Sequence, residues 1–409
     1  MRRRLIDLLE GLLMSLFSAV EAAPADPILG LTDKFNADTD PRKVNLGVGV
    51  YQDASGKLPL LGAVRAAEAV LSAEPKPRGY LPIDGLKLYD DDVKELVFGA
   101  GAEVLGRTIT IQALGGTGAL KIGADFLRVV SPDARVLISR PSWENHRALF
   151  TRAGFEVAEY RYYDAAARGI DFAGMLADLQ AAPAGTVVLL HACCHNPTGY
   201  DLDPDQWAQV IEVVKAGGLT PFLDMAYQGF AKSLEEDSSV VRAFADAGLT
   251  FFCSTSFSKS FSLYGERVGA LSVVCADADE AKRVLSQMKI VVRTNYSNPP
   301  THGAALVVAV LRDPELRAQW VAELGQMRDR IKQMREALVA GLRAEGIDDM
   351  GFIAEQVGMF SYSGLTKEQM IALREQHHVY GTDAGRICVA ALNDRNVGYV
   401  SKAIAAVLA

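Results

Sequence analysis

Residues 256–267, SFSKSFSLYGER, combine one lysine, one arginine and several serines. They stand between two apolar runs, residues 249–253 and 268–274, which have the composition of buried strands. An ammonium group between buried strands costs several kcal/mol unless it is paired, neutralised or used covalently, and one covalent use is a Schiff base with a carbonyl cofactor. Since Ser256, Ser258 and Arg267 of the same stretch suit a phosphate group, Lys259 is predicted to form an aldimine with pyridoxal phosphate.

The residues around Lys259 favour a ligand with a phosphate group. Ser256 and Ser258 offer hydroxyl donors, and Arg267 offers a planar charged fork. Taken alone, the pattern also occurs around exposed lysines, so the interpretation depends on the rest of the chain.

A second phosphate-binding pattern lies at residues 108–130, where an apolar run meets Gly116 and Thr117 in a glycine cluster and helix-forming residues follow. A strand, a glycine-rich turn and a helix N-terminus present backbone N–H groups to a phosphate. The cluster has neither the spacing of a dinucleotide site nor the ending of a P-loop. We expect a phosphate site of another kind.

Further polar side chains follow predicted strands elsewhere in the chain. Strands alternate with helices from about residue 108 onward, which predicts an α/β fold with a mainly parallel sheet covered on both faces. In such sheets ligands bind beyond the carboxyl ends of the strands. The residues that come just after predicted strands are Trp143, His146, Asn196, Asp224, Tyr227 and Lys259.

The overall composition suits a globular enzyme. With 409 residues the chain is long enough for two domains, and 49% hydrophobic with 22% charged residues is an ordinary soluble composition. The net charge of -8 disfavours a nucleic-acid partner. The five cysteines include no C-x-x-C pair, which predicts no metal site and favours a reducing compartment.

The N-terminus carries a basic cluster before several leucines, but Asp7 and Glu10 interrupt the apolar stretch, so we expect no signal peptide. Met14 is an alternative start of the native protein. No run approaches the roughly 18 apolar residues of a membrane span. The sequence therefore predicts a cytoplasmic protein without a membrane partner.

Several elements outside this region are predicted from composition alone. Residues 43–51 and 386–391 favour strands, and Arg386 stands at the start of the second, where the ordinary alternative is a surface arginine. Residues 286–293 favour a helix. Residues 314–345 favour a long helix whose charges face solvent.

At this point the chain resembles the class I aminotransferases, in the subgroup that acts on aspartate and aromatic amino acids. The resemblance covers the chain from about residue 22 and rests on the motifs APADPIL, NLGVGVY, GGTGALK, PSWENH, HACCHNPTG, LDMAYQGF, SFSKSFSLYGERVG, NYSNPP, GMFSYSGL and GRICVA. It implies fold type I of the pyridoxal phosphate enzymes and a homodimer whose active sites are shared across the interface. It also implies an N-terminal arm at 1–26, a small domain from 27–59 and 329–409, and a large cofactor domain at 60–328.

The resemblance also implies a role for each matching residue. Lys259 would form the internal aldimine and act as the base, Asp224 would hold the pyridine nitrogen protonated, and His146 would support Asp224. Asn196 and Tyr227 would donate to the phenolic oxygen, and Trp143 would stack on the ring. Gly116, Thr117, Ser256, Ser258 and Arg267 would bind the phosphate, together with Tyr80 of a second subunit. Arg386, Asn196 and Gly47 would hold the α-carboxylate, and Arg293 of a second subunit would hold a side-chain carboxylate.

The implied reaction is a ping-pong transfer of the amino group from tyrosine, phenylalanine or aspartate to 2-oxoglutarate. Gln52, Leu58 and Gly79 stand where strict aspartate enzymes of this family usually carry polar residues, which favours dual specificity. Thr117 and Asn298 match the aspartate type. A strict aspartate aminotransferase, or another pyridoxal phosphate chemistry such as a β-lyase, remain the alternatives.

Overall fold

The computed structural model describes residues 15–23 and 29–409. The predicted arm at 1–26 and the alternative start at Met14 fall mostly outside these residues. In chain order the strands are β1 (Val44–Asn45), β2 (Thr108–Leu114), β3 (Arg135–Arg140), β4 (Glu156–Arg161), β5 (Tyr163–Asp164), β6 (Gly169–Ile170), β7 (Val187–His191), β8 (Thr220–Met225), β9 (Phe251–Ser256), β10 (Val268–Val274), β11 (Phe360–Tyr362), β12 (Val379–Tyr380) and β13 (Arg386–Cys388).

The helices surround these strands and fill most of the connections. They are α1 (Leu29–Ala37), α2 (Gly62–Ala73), α3 (Lys87–Phe98), α4 (Gly115–Val130), α5 (Glu144–Arg152), α6 (Phe172–Gln180), α7 (Pro204–Gly217), α8 (Leu234–Asp237), α9 (Ser239–Asp246), α10 (Ala278–Asn295), α11 (His302–Arg312), α12 (Pro314–Ala344), α13 (Lys367–His377) and α14 (Val397–Leu408). None of the helices in the described part of the chain combines the length and the apolar character needed to cross a bilayer.

A seven-stranded sheet forms the centre of the molecule, in the order β2-β10-β9-β8-β7-β3-β4. β10 runs antiparallel to both of its neighbours and the other pairs are parallel. Every residue of β7, β9 and β10 is buried, as expected for strands covered by helices on both faces. The predicted α/β fold with a mainly parallel sheet is confirmed.

The glycine-rich turn between β2 and α4 has the predicted form. Gly115 opens α4 with a φ of +67°, a conformation that glycine adopts without strain. A Cβ on Gly115 would lie 2.6 Å from Nη2 of Arg267. The N-terminus of α4 can therefore approach Arg267, which belongs to the lysine-bearing turn, residues 256–267.

A smaller group of strands joins the two ends of the chain. β1 pairs in parallel with β12, and β11 pairs antiparallel with β13. β1 lies in the first predicted small-domain segment, and β11, β12 and β13 lie in the second. The pairing agrees with a small domain built from both ends, while its boundaries stay a prediction.

Three sequence predictions need correction in their extent. The strand expected at 43–51 is only Val44–Asn45, because beyond it the backbone turns toward side chains: the carbonyl of Gly47 accepts from Arg386, and a Cβ on Gly49 would lie 2.6 Å from Cζ of Phe360. The strand expected at 386–391 ends at Cys388 and continues as a 3₁₀ turn. The helix expected at 286–293 begins earlier, at Ala278.

The long helix α12 is confirmed, but one of its charges is not at the surface. Arg335 is 2% exposed and donates to the carbonyls of Ile353, Gly358 and Phe360. These three bonds satisfy a buried guanidinium that has no carboxylate partner among the described residues, and they tie α12 to the start of β11 and to the segment before it.

Candidate active site

A cavity of about 250 Å³ lies beyond the carboxyl ends of β8 and β9. It collects most of the side chains that the sequence placed after strands, although they are far apart in the chain. Its lining consists of Val48, Gly49, Val50, Gly116, Thr117, Leu120, Trp143, His191, Asn196, Asp224, Ala226, Tyr227, Ser256, Ser258, Lys259, Tyr264 and Arg267.

Lys259 lies in the turn that follows β9, with its Nζ 4.8 Å from the ring centroid of Tyr227. Within the described residues, Nζ has neither a hydrogen-bond acceptor nor a carboxylate partner in an ion pair. Burial lowers the pKa of Lys259 to about 8, against a smaller opposing effect of the Asp224 charge. About a tenth of this amine is therefore neutral and nucleophilic at about pH 7.

Asp224 ends β8 and is 5% exposed. Burial alone would raise the pKa of Asp224, but hydrogen bonds from neighbours outweigh burial and the pKa is lowered. Nε2 of His146 lies 2.9 Å from Oδ2, and the hydroxyl of Ser254 donates to Oδ1 at 2.7 Å. Nδ1 of His146 lies 2.9 Å from the hydroxyl of Ser142. The carboxylate is thus fixed in orientation and ionised at neutral pH.

His191 is a cavity residue that the sequence analysis did not single out. It is 7% exposed, and neither of its ring nitrogens has a hydrogen-bond partner within the described residues. Burial, followed by the neighbouring His146, lowers the pKa of His191 to about 3, so the ring is neutral. Buried polar atoms without partners indicate that a polar ligand belongs in the cavity. The signal available in the sequence was its position at the end of an apolar run, residues 187–190; its place beside Asp224 comes from the register of β7 and β8.

The phosphate-type site has the predicted components. The N-terminus of α4, with Gly116 and Thr117, faces Ser256, and a Cβ on Gly116 would lie 3.2 Å from the Cβ of Ser256. Nη1 of Arg267 lies 3.3 Å from the hydroxyl of Ser258. Backbone N–H groups, hydroxyls and a guanidinium together suit a phosphate dianion.

Arg386 lies beside this cavity and is not the surface residue that its sequence position also allowed. It is 2% exposed, its Nη2 donates to the carbonyl of Gly47 at 2.7 Å, and its Nη1 donates to Oδ1 of Asn196 at 3.2 Å. The guanidinium carbon lies 4.3 Å from the ring centroid of Phe360. Its Nε has no partner and it joins none of the ion pairs of the described residues. A buried cation in this state calls for an anionic ligand, and its fork fits a carboxylate.

Tyr80 and Arg293, two of the predicted site residues, do not line the cavity of this chain. Tyr80 is 96% exposed, and Arg293 is exposed and donates to the hydroxyl of Ser297. Both were expected to serve the site of a second subunit, so their roles stay predictions. Leu58 is also exposed, at 49%.

The donor set fits one planar ligand with three different groups. The phosphate site accepts a phosphate, Asp224 suits a basic ring nitrogen, and Lys259 suits a carbonyl carbon. Trp143, whose ring packs edge-on against His146 at 5.1 Å between centroids, supplies an aromatic wall. Pyridoxal phosphate carries all three groups.

Comparison with known proteins agrees with this arrangement. The family model described as "Aminotransferase class I and II" matches residues 41–404. An aspartate aminotransferase of Pseudomonas aeruginosa is 61% identical over 97% of this chain and 100% of its own length. An aromatic-amino-acid aminotransferase of Escherichia coli is 52% identical over 96% of this chain and 100% of its own.

A solved structure has nearly the same fold. It is an aromatic-amino-acid aminotransferase from Burkholderia pseudomallei covalently bound to pyridoxal phosphate, 64% identical, with a TM-score of 0.94 over 97% of this chain and 100% of that chain.

Proposed function

The chain belongs to the class I and II aminotransferase family, and we propose that it transfers amino groups from aromatic amino acids and aspartate to 2-oxoglutarate with pyridoxal phosphate as its cofactor. The observation that carries the proposal is the grouping of Lys259, Asp224 and Arg386 around one cavity. An amine without a hydrogen-bond acceptor among the described residues, an ionised carboxylate and a buried guanidinium that joins none of their ion pairs are the three groups that amino transfer between two acids requires.

When bound, pyridoxal phosphate supplies an electron sink that stabilises negative charge on the α-carbon of the substrate. The residues of the chain move the proton and hold the cofactor in place. Nζ of Lys259 takes the proton from the α-carbon, because a neutral amine with a pKa of about 8 is a suitable base near neutral pH. Asp224 would keep the ring nitrogen protonated, and its bonds to His146 and Ser254 hold it in place.

Asn196 would serve both the cofactor and the substrate. Its Oδ1 accepts from Arg386, so its amide N–H groups are left to donate into the cavity. We propose that Asn196 and Tyr227 donate to the phenolic oxygen of the cofactor. The phosphate would be held by Gly116, Thr117, Ser256, Ser258 and Arg267.

Arg386 would bind the α-carboxylate of the substrate, helped by Gly47 and Asn196. Two parallel N–H bonds fix the orientation of a carboxylate as well as its charge. Relatives of similar identity are named for aspartate and for aromatic amino acids, which supports a dual specificity for this chain. Leu58 and Gly79 would make the side-chain pocket less polar than in a strict aspartate enzyme.

The assembly belongs to the same proposal. Tyr80 and Arg293 lie away from the cavity of their own chain, as expected if a homodimer shares its active sites. The proposal also keeps a small domain at 27–59 and 329–409, a large domain at 60–328 and a cytoplasmic location. All five cysteines are free and buried, which suits a reducing compartment.

An absorbance titration tests the proposed function. The visible band of the bound cofactor should shift to the shorter wavelength of the pyridoxamine form after addition of aspartate, and also after addition of phenylalanine. A response to aspartate alone, or a phenylalanine kcat/KM more than about a thousandfold lower (about 4 kcal/mol of discrimination), would make the chain a strict aspartate aminotransferase. Product formation without amino transfer to 2-oxoglutarate would instead favour a lyase.

The uptake of cofactor should depend on pH. Because the pKa of Lys259 is lowered to about 8, the amine is largely protonated below this pH and largely neutral above it. We expect the rate at which cofactor-free protein takes up pyridoxal phosphate to be about tenfold higher at about pH 9 than at about pH 7, the ratio of neutral amine for one group with this pKa. Stopped-flow absorbance measures the rate. Uptake of pyridoxamine phosphate, which has no carbonyl for the amine to attack, is the control and should lack this rise.

A further inference from the structure

Tyr264 is a cavity residue for which neither the motifs nor the proposed function gives a role. It lies five residues after Lys259 in the lysine-bearing turn, and its side chain lines the cavity. Its hydroxyl accepts a hydrogen bond from the backbone N–H of Tyr51 at 3.0 Å, across 213 positions of sequence. Its own carbonyl accepts from Nη1 of Arg267 at 3.0 Å. One residue thus contacts both the phosphate-binding arginine and the distant segment 47–52.

The segment 47–52 carries part of the carboxylate site. The carbonyl of Gly47 receives Nη2 of Arg386, and residues 48–50 line the cavity. At its far end, the N–H of Gln52 donates to the carbonyl of Ala390 at 2.9 Å, and Nη1 of Arg330 donates to the carbonyl of Gln52 at 3.0 Å. The Gly47 end of the segment is therefore tied to Arg386. The Gln52 end is tied to Ala390, close to Arg386 in the chain, and to helix α12.

Tyr51, next to the far end of the segment, has a different attachment. Among the described residues, Tyr51 supplies the only backbone N–H of 47–52 whose acceptor lies on the lysine-bearing turn. The side chain of Tyr51 is 5% exposed, and its ring lies 5.8 Å from the guanidinium carbon of Arg330. Because the side chain of Tyr51 is buried and packs beside Arg330, the hydroxyl of Tyr264 sets the distance between segment 47–52 and the lysine-bearing turn.

We infer that Tyr264 is a positioning residue that aligns the carboxylate site of Gly47 and Arg386 with the amine of Lys259. The inference rests on the proposed function, because it assigns the substrate carboxylate to Arg386. Without the hydroxyl, the N–H of Tyr51 loses its acceptor, and the spacing between the turn that carries Lys259 and the segment that stays bonded to Arg386 and Ala390 is no longer fixed. Substrate binding should suffer more than cofactor binding, because Arg267, Ser256 and Ser258 keep their contacts.

The test is Tyr264→Phe in the holoenzyme, with 3-phenylpropionate as a probe that carries a carboxylate but no amino group. We expect its Kd, and the KM for aspartate and phenylalanine, to rise about fivefold to tenfold, which is the usual effect of one lost hydrogen bond. The affinity for pyridoxal phosphate and the absorption band should stay as in the unchanged protein. The amide 3-phenylpropionamide should bind both proteins equally, so that the preference for the carboxylate over the amide falls.

Tyr399→Phe is the matched control, because the hydroxyl of Tyr399 donates to the carbonyl of His377 at 2.6 Å and lies outside the cavity lining. It should leave the Kd of the probe unchanged. Its unfolding temperature should fall by about as much as that of Tyr264→Phe, because each variant loses one hydrogen bond. An unchanged Kd in Tyr264→Phe, or an equal loss for carboxylate and amide, would overturn the inference. The Kd is measured without turnover, so a failure of the proposed amino transfer would be seen separately. In that case the protein without substitutions would bind the probe but transfer no amino group.

Discussion

Lys259→Ala is expected to lower kcat by at least about 10⁴-fold, the upper end of what a positioned general base contributes. The structure gives the reason: Nζ of Lys259 lies in the cavity without a hydrogen-bond partner among the described residues, with a pKa lowered to about 8. Among the residues that the structure describes, no other lysine lines the cavity, so none of them offers a second amine in its place. Steady-state kinetics with aspartate and 2-oxoglutarate measures the loss.

The covalent role of Lys259 has an independent measurement. Borohydride treatment of the holoenzyme followed by peptide mass spectrometry should place the mass of the cofactor on the peptide that contains Lys259. The alanine variant should show no such peptide, although the phosphate site should still bind the cofactor reversibly. Lys402→Ala, at an exposed position on α14, is the control and should behave as the unchanged protein. Retention of more than a hundredth of the activity in Lys259→Ala would contradict the assignment.

Local sequence was enough to predict the parts of the site that one segment builds. The lysine-bearing turn, the glycine-rich start of α4 and the carboxylate at the end of β8 each follow an apolar run and precede a turn. Because parallel strands end at one edge of a sheet, these local patterns also predicted that the residues meet. In the structure Lys259, Asp224 and Asn196 line one cavity.

The interactions that sequence could not predict depend on which strands are neighbours. Ser254 donates to Asp224 only because β9 lies beside β8, where the register pairs these two residues. His191 faces the same carboxylate from β7 for the same reason. The bond from Tyr51 to Tyr264 joins segments that are 213 positions apart in the sequence. Neither strand order nor long-range contacts leave a periodic signal in one sequence.

The lengths of short strands could not be predicted from the sequence either. Residues 43–51 have the alternation of a strand, but only Val44–Asn45 finds a partner strand, since the backbone beyond it meets the side chains of Arg386 and Phe360. Tertiary contacts determine the conformation of such a segment, and they override the strand preference of its composition.

Asp224→Asn is expected to lower kcat by about 10²- to 10³-fold, the effect of removing one preorganised charged group from an active site. The amide keeps the shape of the carboxylate and can still accept from His146, so the change isolates the charge. Without that charge, no lining side chain among the described residues would favour the protonated form of a ring nitrogen: His191 is neutral, with a pKa lowered to about 3, Lys259 carries positive charge when protonated, and Arg386 beside the cavity is a guanidinium. KM should change little, because the carboxylate site lies at Arg386.

Ser254→Ala separates the charge of Asp224 from its orientation. It removes the 2.7 Å hydrogen bond to Oδ1 but leaves the carboxylate ionised and bonded to His146. The loss of one hydrogen bond, about 1 kcal/mol, should lower kcat only about fivefold. The ratio of the two effects is the decisive quantity, since both variants disturb the packing at the same point of the sheet. If Asp224→Asn were no slower than Ser254→Ala, the carboxylate would act through its hydrogen bonds alone, and its charge would have no part in stabilising the reaction.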